Sequence, residues 1–302
     1  MGKPAYQPYM VNSVSQLHQL LSLPKPMHPL ISVIDLKDIK PSGKESIIFN
    51  FYSIWLEKNV ESKLRYGQNY FDFDEGSMIF LSPGQVVSSG NHKQTEYGWG
   101  LVFHPDFIRT YQLAKTIKTY GFFSYAINEA LHVSESEEKV LNAILDNIAN
   151  EYRARIDDFS QDVIIAEIEL MLHYCDRFYH RQFLTRKSIN HDLLTQVEDL
   201  LTDYFNDNTA MELGLPTVQY LGKKLNVSPG YLSDMLRTLT GQSAQQHIHN
   251  KIIEKAKELI SATSLSVNEI AFQLGFEYAQ SFNKFFKNKT DISPLQYRKG
   301  FN

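Results

Sequence analysis

The spacing of apolar residues changes character along the chain. Between residues 30 and 107 apolar and aromatic side chains come in short runs, ISVIDL, SIIFNFYSIWLE, KLRYGQNYFDF, SMIFLSPGQVVSS and YGWGLVF, separated by Gly, Pro and Asn. Such closely spaced runs predict the strands of a small antiparallel barrel or double-sheet sandwich, with a jelly-roll pocket domain as the leading fold. One helix is expected ahead of them near residues 14–23, stopped by Pro24, Pro26 and Pro29. From residue 134 the period becomes helical. Ser134 and Glu137 predict a capping box for a helix through VLNAILDNIANEYRARI, and Ser160 predicts the start of another through DVIIAEIELMLHYCDRFYHR. In the latter, Val163, Ala166, Leu170, His173 and Tyr174 fall near one stripe, and Ile164, Ile168, Met171 and Leu172 near the next. Two adjacent apolar stripes call for cover from the sheet domain and from a second subunit, the alternative being packing wholly within the chain. Residues 184–191 then read as a polar linker, 192–205 as a helix and 206–214 as a loop.

Beyond residue 217 the pattern repeats itself. Val218, Leu221, Gly222, Leu225 and Val227 return 49 positions later as Val267, Ile270, Ala271, Leu274 and Phe276. Leu232, Met235 and Leu236 return at an offset of 50 as Phe282, Phe285 and Phe286, leaving Ser233, Asp234 and Arg237 beside Asn283, Lys284 and Lys287 on the outward faces. Each copy predicts a helix, a turn and a second helix. Ser228 and Pro229 mark the start of one second helix, which stops near Gly241; Ser266 and Glu269 form a capping box, and Gly275 serves the second turn. A longer helix over residues 243–260 joins the copies. The fold class is therefore α+β, an N-terminal antiparallel β-barrel with flanking helices followed by an all-α domain with two helix-turn-helix units, about 217–239 and 266–289. The domains are expected at 1–130 for the barrel, 131–183 for a helical dimerisation or packing segment, 184–191 for the linker and 192–302 for the DNA-binding part.

Charge supports this division. The net charge of −4 conceals 11 Lys and Arg against 7 Asp and Glu from Met211 onward, about +4 there and about −8 before it. The basic part is the part that repeats, as expected for a DNA-binding C-terminus on an acidic regulatory body. The single cysteine, Cys175, cannot form an internal disulfide or a zinc site and reads as a small buried filler. No apolar run approaches the roughly 18–20 residues of a membrane helix, so the expected location is cytoplasmic and no membrane partner is expected.

The segments SPGYLSDMLRTLTGQSAQQHIHNKIIEKAKELI and SVNEIAFQLGFEYAQSFNKFFKNKTDISPLQYRK resemble the DNA-binding domain of AraC/XylS-family transcriptional regulators. Ala256, Leu259, Ile270, Ala271, Gly275, Phe276, Phe282, Phe286, Lys287, Ser293, Pro294 and Tyr297 stand at that family's characteristic places. The preceding sheet domain resembles the cupin-like sensing domains that many members carry. The resemblance implies DNA base contacts from Gly230, Ser233 and Asp234 on the first reading helix and from Ala279, Gln280, Asn283 and Lys284 on the second. Gln and Asn can pair with adenine by two bonds and Lys can donate to guanine, whereas Ala reads at most a thymine methyl. Asp234 stands where a basic residue is usual in the family; a carboxylate can accept from cytosine but repels nearby phosphates. Arg237, Lys287 and the helix starts at Ser228 and Ser266 are expected to hold phosphates, since cations and positive dipole ends favour the backbone whatever its sequence. Ile252 stands where the joining helix of relatives often has an Arg.

The N-terminal domain is read as sensing a small organic effector or mediating dimerisation, with Tyr52, Trp55, Phe71 and Trp99 as candidate effector-binding residues. Metal-dependent cupin enzymes resemble one another in a histidine pair, a carboxylate and a later histidine. Here no histidine falls between Lys37 and Asn91, so no metal, cofactor or catalytic residue is expected, and His92 and His104 read as structural. The leading function is a sequence-specific DNA-binding regulator of transcription, not an enzyme, whose partners are double-stranded DNA, RNA polymerase, a small-molecule effector and a second copy of the chain. The alternative is a metal-dependent or other small-molecule cupin enzyme tethered to DNA.

Overall fold

The computed structural model describes residues 8–40, 46–58, 65–66, 69–70, 76–88, 97–154, 159–185 and 187–301. The chain divides into two compact units, Met1–Gln182 and Phe183–Asn302.

In the first unit, strand β1 (Tyr9–Val11) and helix α1 (Val14–Leu20) precede β2 (Ile31–Asp35), β3 (Ser46–Phe49), β4 (Tyr52–Glu57), the short β5 (Arg65–Tyr66) and β6 (Asn69–Tyr70), β7 (Gly76–Leu81), β8 (Gln85–Ser88) and β9 (Gly98–Phe103). Short helices α2 (Pro105–Ile108) and α3 (Leu113–Thr116), strand β10 (Leu131–Val133) and the long helices α4 (Glu135–Arg153) and α5 (Ser160–Thr185) complete it. Five strands pair in the order β10-β7-β4-β9-β2, and three in the order β1-β3-β8. Of the expected small antiparallel barrel or double-sheet sandwich, the described residues form separate open sheets and no closed barrel, and β1 pairs with β3 in parallel. The chain passes from one sheet to the other at Asn50–Phe51 and at Pro83–Gly84, so SIIFNFYSIWLE is two strands of different sheets. Gly84 takes the left-handed turn with φ +84°, and its amide donates to Phe49 O at 2.8 Å.

Strand alternation explains how one five-stranded sheet serves two cores. One face contributes Ile34, Leu81 and Val102 to a cluster with Val11, Val14, Leu17, Ile47 and Phe49 from the smaller sheet and α1 and Phe51 from the crossing between the sheets. The other face carries Met78, Phe80, Leu101 and Phe103, all buried. There Phe80 meets Phe122, Phe123 and Tyr179, and Met78 lies 4.0 Å from the Cys175 sulfur on α5. Each such side chain contributes about 1.5–3 kcal/mol of burial free energy. The edge strand β10 is covered by Gln182, whose side chain accepts from the His132 amide and donates to Ala130 O, at 2.8 and 3.2 Å. Helix α4 begins with the expected box between Ser134 and Glu137. On α5 the two stripes part: Ile164, Ile168, Met171 and Leu172 are buried, while Val163 and Leu170 are each 44% exposed. No helix among the described residues is long and apolar enough to cross a membrane.

The second unit is all helical: α6 (Lys187–Asn206), α7 (Thr209–Leu213), α8 (Val218–Leu225), α9 (Pro229–Thr240), α10 (Ala244–Ala262), α11 (Val267–Gln273), α12 (Ala279–Thr290) and α13 (Pro294–Lys299). The stretch read as a polar linker differs from that reading: α5 runs to Thr185 and α6 starts at Lys187, with Asn190 buried and donating to Phe183 O at 2.7 Å. The stretch read as a loop at 206–214 contains α7, framed by left-handed Asn208 and Gly214. Helix α10 buries Ala244, Ile248, Ile252, Ala256, Leu259 and Ile260 along one face and packs against α6, α8, α9, α11 and α13. Ile252 is thus a core residue.

Candidate nucleic-acid interface

The two helix pairs, α8 with α9 and α11 with α12, are built to one plan that the repeat specifies. In the first, the Val227 amide donates to Gly222 O at 2.9 Å; 49 residues on, the Phe276 amide donates to Ala271 O at 3.0 Å. The turn residue is left-handed in both, Asn226 with φ 56° and Gly275 with φ 89°. At Gly222 a Cβ would lie 2.6 Å from Val227 O, which accounts for the small residue at that crossing. Gly275 is constrained in two ways, by its φ of +89° and because a Cβ there would come within 2.7 Å of Ala210 O on α7 and within 2.8 Å of Gly214 O. The second helices end alike, at left-handed Gly241 and Asp291.

Each second helix hides one face and presents the other. On α9, Tyr231, Leu232, Met235 and Leu236 are buried, leaving Arg237 exposed and Gly230, Ser233 and Asp234 half-buried. On α12, Phe282 and Phe286 are buried, with Gln280, Lys284 and Lys287 exposed and Ala279 and Asn283 half-buried. All the base-contact candidates therefore lie outside the buried cores of their helices, at the N-terminal ends where an inserted helix reads base edges.

Their electrostatics differ. Arg237 Nη1 donates to Asp234 Oδ1 at 2.6 Å, an i,i+3 pair on α9. Lys284, Lys287 and Lys289 on α12 are exposed, and none makes an ion pair among the described residues. The helix starts differ too. Ser228 accepts from the Tyr231 amide at 3.2 Å, and the first turn of α9 holds no carboxylate. Tyr278, at the same place before α12, makes no side-chain cap bond. Ser266 caps α11, but Glu269 returns its carboxylate to the Ser266 amide at 2.7 Å, and these bonds hold the Glu269 carboxyl below its ordinary pKa. A negative charge already sits where the sequence placed a phosphate, so Ser266 is a helix cap with an unfavourable setting for a second anion. Between the pairs, the His249 ring on α10 meets Phe285 on α12 edge-on, and burial with nearby Lys289 lowers its pKa.

The four aromatic effector candidates do not gather in one place. Phe71 lies outside the described residues. Tyr52 is buried against Phe103 and Phe123, and that burial raises its pKa. Trp55 pairs in register with Gly100, where a Cβ would overlap its ring, and its Nε1 donates to Ser53 Oγ at 3.0 Å. Trp99 pairs with Leu56 and so faces the other side of the sheet, donating to Asn142 Oδ1 on α4 at 2.8 Å. Trp99 also lines a cleft of about 580 Å³ with Val33, Leu56, Leu145, Ala149 and Arg153. Sequence reasoning did not find this cleft, because it depends on which strand ends meet α4. His104 caps α2, accepting from the Asp106 amide, whereas His92 lies outside the described residues. Cys175 is buried, and burial pushes its thiol pKa up, away from reactivity.

Residues 221–300 match the family model described as "Helix-turn-helix domain". An uncharacterized HTH-type transcriptional regulator of Staphylococcus aureus strain MSSA476 is 29% identical over 138 residues, 46% of this chain and 17% of that protein. The HTH-type transcriptional regulator YfiF of Bacillus subtilis strain 168 is 29% identical over 143 residues, 47% of this chain and 42% of that protein. The chain thus spans less than half the length of either curated relative. A solved structure, the C-terminal domain of the two-component response regulator yesN from Fusobacterium nucleatum, is 34% identical; the match covers 35% of this chain and 98% of that one, with a TM-score of 0.32. The C-terminal part of this chain thus carries an AraC-type helix-turn-helix domain, as the resemblance read from its sequence implied.

Proposed function

We propose that this chain is a sequence-specific regulator of transcription whose C-terminal domain reads double-stranded DNA through two helix-turn-helix units. The observation that carries this reading is the repeated turn geometry at Asn226 and Gly275, each followed by a helix with a polar outward face. In this reading Gly230, Ser233, Asp234, Ala279, Gln280, Asn283 and Lys284 meet base edges, while Arg237, Lys287 and the Ser228-capped start of α9 hold phosphates. Two units on one face of a duplex would enter major grooves roughly 34 Å apart, over an asymmetric site of about 20 base pairs. The N-terminal unit biases DNA binding, either by taking a small organic effector or by pairing with a second copy. The Trp99 cleft supports the first route, being within the size range of small-molecule sites and floored by Val33, Leu56 and Leu145. The exposed Val163 and Leu170 on α5 support the second. RNA polymerase is the further partner such a regulator would contact.

Selection of bound sequences from random DNA, followed by titration at two salt concentrations, tests the reading. Lys284→Ala is expected to weaken specific binding by about 1–3 kcal/mol and to relax one base preference. Lys287→Ala should weaken all sequences alike and reduce the salt slope by about one. An unchanged site preference for Lys284→Ala would sink the assignment.

A further inference from the structure

The outward face of α9 sets a carboxylate in a place where DNA phosphates would repel it, and the structure supplies its compensation. Asp234 and Arg237 are bonded at 2.6 Å one turn apart, with the Arg237 side chain 58% exposed and that of Asp234 28% exposed. The remaining outward residues, Gly230 and Ser233, carry no charge, so this face of α9 sums to zero. The outward side of α12 carries Lys284, Lys287 and Lys289. A guanidinium has five donors, and one bond to Asp234 leaves others for a phosphate; a carboxylate has about four acceptor sites, more than one guanidinium contact uses.

The geometry points to Asp234 and Arg237 acting as one unit that selects a C·G pair. Arg237 bridges the Asp234 carboxylate and a backbone phosphate, and the carboxylate so held accepts from the cytosine N4 amine in the major groove. This rests on the DNA-reading proposal above and divides its labour: α12 supplies most of the salt-dependent attraction, and α9 supplies choice. Arg237 is then a positioning residue for Asp234 as well as a phosphate contact. An intrahelical pair that served only helix stability would leave base preference untouched.

The test uses the full chain, the DNA that it selects, and a panel of that DNA with each base pair replaced in turn. Asp234→Ala is expected to relax preference at one position, and that position is to be C·G in the wild-type site. Asp234→Asn, which keeps the shape and can pair with adenine by two bonds, should move the preference there towards A·T. Arg237→Ala should weaken binding by about tenfold in the wild-type background, and by at least about threefold less when Asp234 is already alanine, because the carboxylate it screened is gone. Neither side chain is part of the buried core, and an unchanged circular-dichroism melting curve confirms that each variant is folded. If the wild-type chain selects no sequence, the DNA-reading proposal falls. If it selects one, but Asp234→Asn leaves every base preference in place or the two alanine effects simply multiply, only the present inference is overturned.

Discussion

Two helix pairs in one chain share a skeleton and differ in what they show to solvent. Their buried residues answer to the same packing problem: a second helix crosses a first through a left-handed turn, and both rest on a common joining helix. Leu232 and Leu236 in one pair and Phe282 and Phe286 in the other are all buried, at matching positions. The outward positions answer to no packing rule and have diverged, to a neutralised Asp234–Arg237 pair on α9 and to three lysines on α12 that make no ion pair among the described residues. Packing keeps a repeat recognisable, and the freedom of the exposed face lets two copies take different tasks.

The most severe way to break the comparison is to empty one core and ask whether the other feels it. Phe286→Ala should cost about 3–5 kcal/mol and Leu236→Ala about 2–5 kcal/mol. Because α10 packs against α9 and α11, each is expected to lower hydrogen-exchange protection in both pairs. Loss confined to the mutated pair would mean two independent modules.

A smaller effect separates the two turns. Gly275→Ala forces a Cβ into a left-handed turn against Ala210 O and Gly214, and is expected to cost about 1–3 kcal/mol. Asn226→Gly at the matching turn should change stability by less than about 0.5 kcal/mol, since glycine adopts that conformation without strain. Equal effects in thermal unfolding would mean that neither the positive φ nor the approach of Ala210 O constrains Gly275. The caps sharpen the contrast further: Ser228→Ala should cost about 0.5–2 kcal/mol, whereas Tyr278→Ser should stabilise α12 by about 0.5–1 kcal/mol through the cap it lacks.

The same contrast shows what the sequence could and could not reveal. Helical period and capping residues placed α4, α9, α10 and α12 within a few residues, because those signals are local. Helix α13 escaped notice although Ser293 and Gln296 form the same kind of box as Ser134 and Glu137, and α7 was too short to show a period. In the sheets, runs of apolar residues marked the strands but not their partners, and the parallel pairing of β1 with β3 has no local signature. For the same reason the aromatic candidates could not be sorted by face: parity along a strand is legible, but only the register Trp55 to Gly100 and Leu56 to Trp99 tells that the two tryptophans face opposite ways. The outward residues of α9 and α12 were legible because their helices are local; the bond between Asp234 and Arg237 follows from i,i+3 spacing and could have been read there too.

The smallest expected difference between the pairs depends on pH. Helix α11 starts with a capping box whose acceptor is Glu269, while α8 starts with Thr217 accepting from the Tyr220 amide and has no titratable group in that role. Glu269 has a folded pKa below its ordinary value of 4.5, through its hydrogen bonds to Ser266. A carboxylate with a depressed pKa adds stability that is fully present above the unfolded value and is lost as pH falls through the folded one. The start of α11 should therefore loosen in acid below about pH 4.5 while that of α8 does not, and Glu269→Gln, which keeps an acceptor without a titratable proton, should remove the difference. The Ser266 amide proton followed by NMR is the direct reporter, since it donates to Glu269 Oε2. A titration midpoint at or above that of a free glutamate would mean that the box does not form in solution.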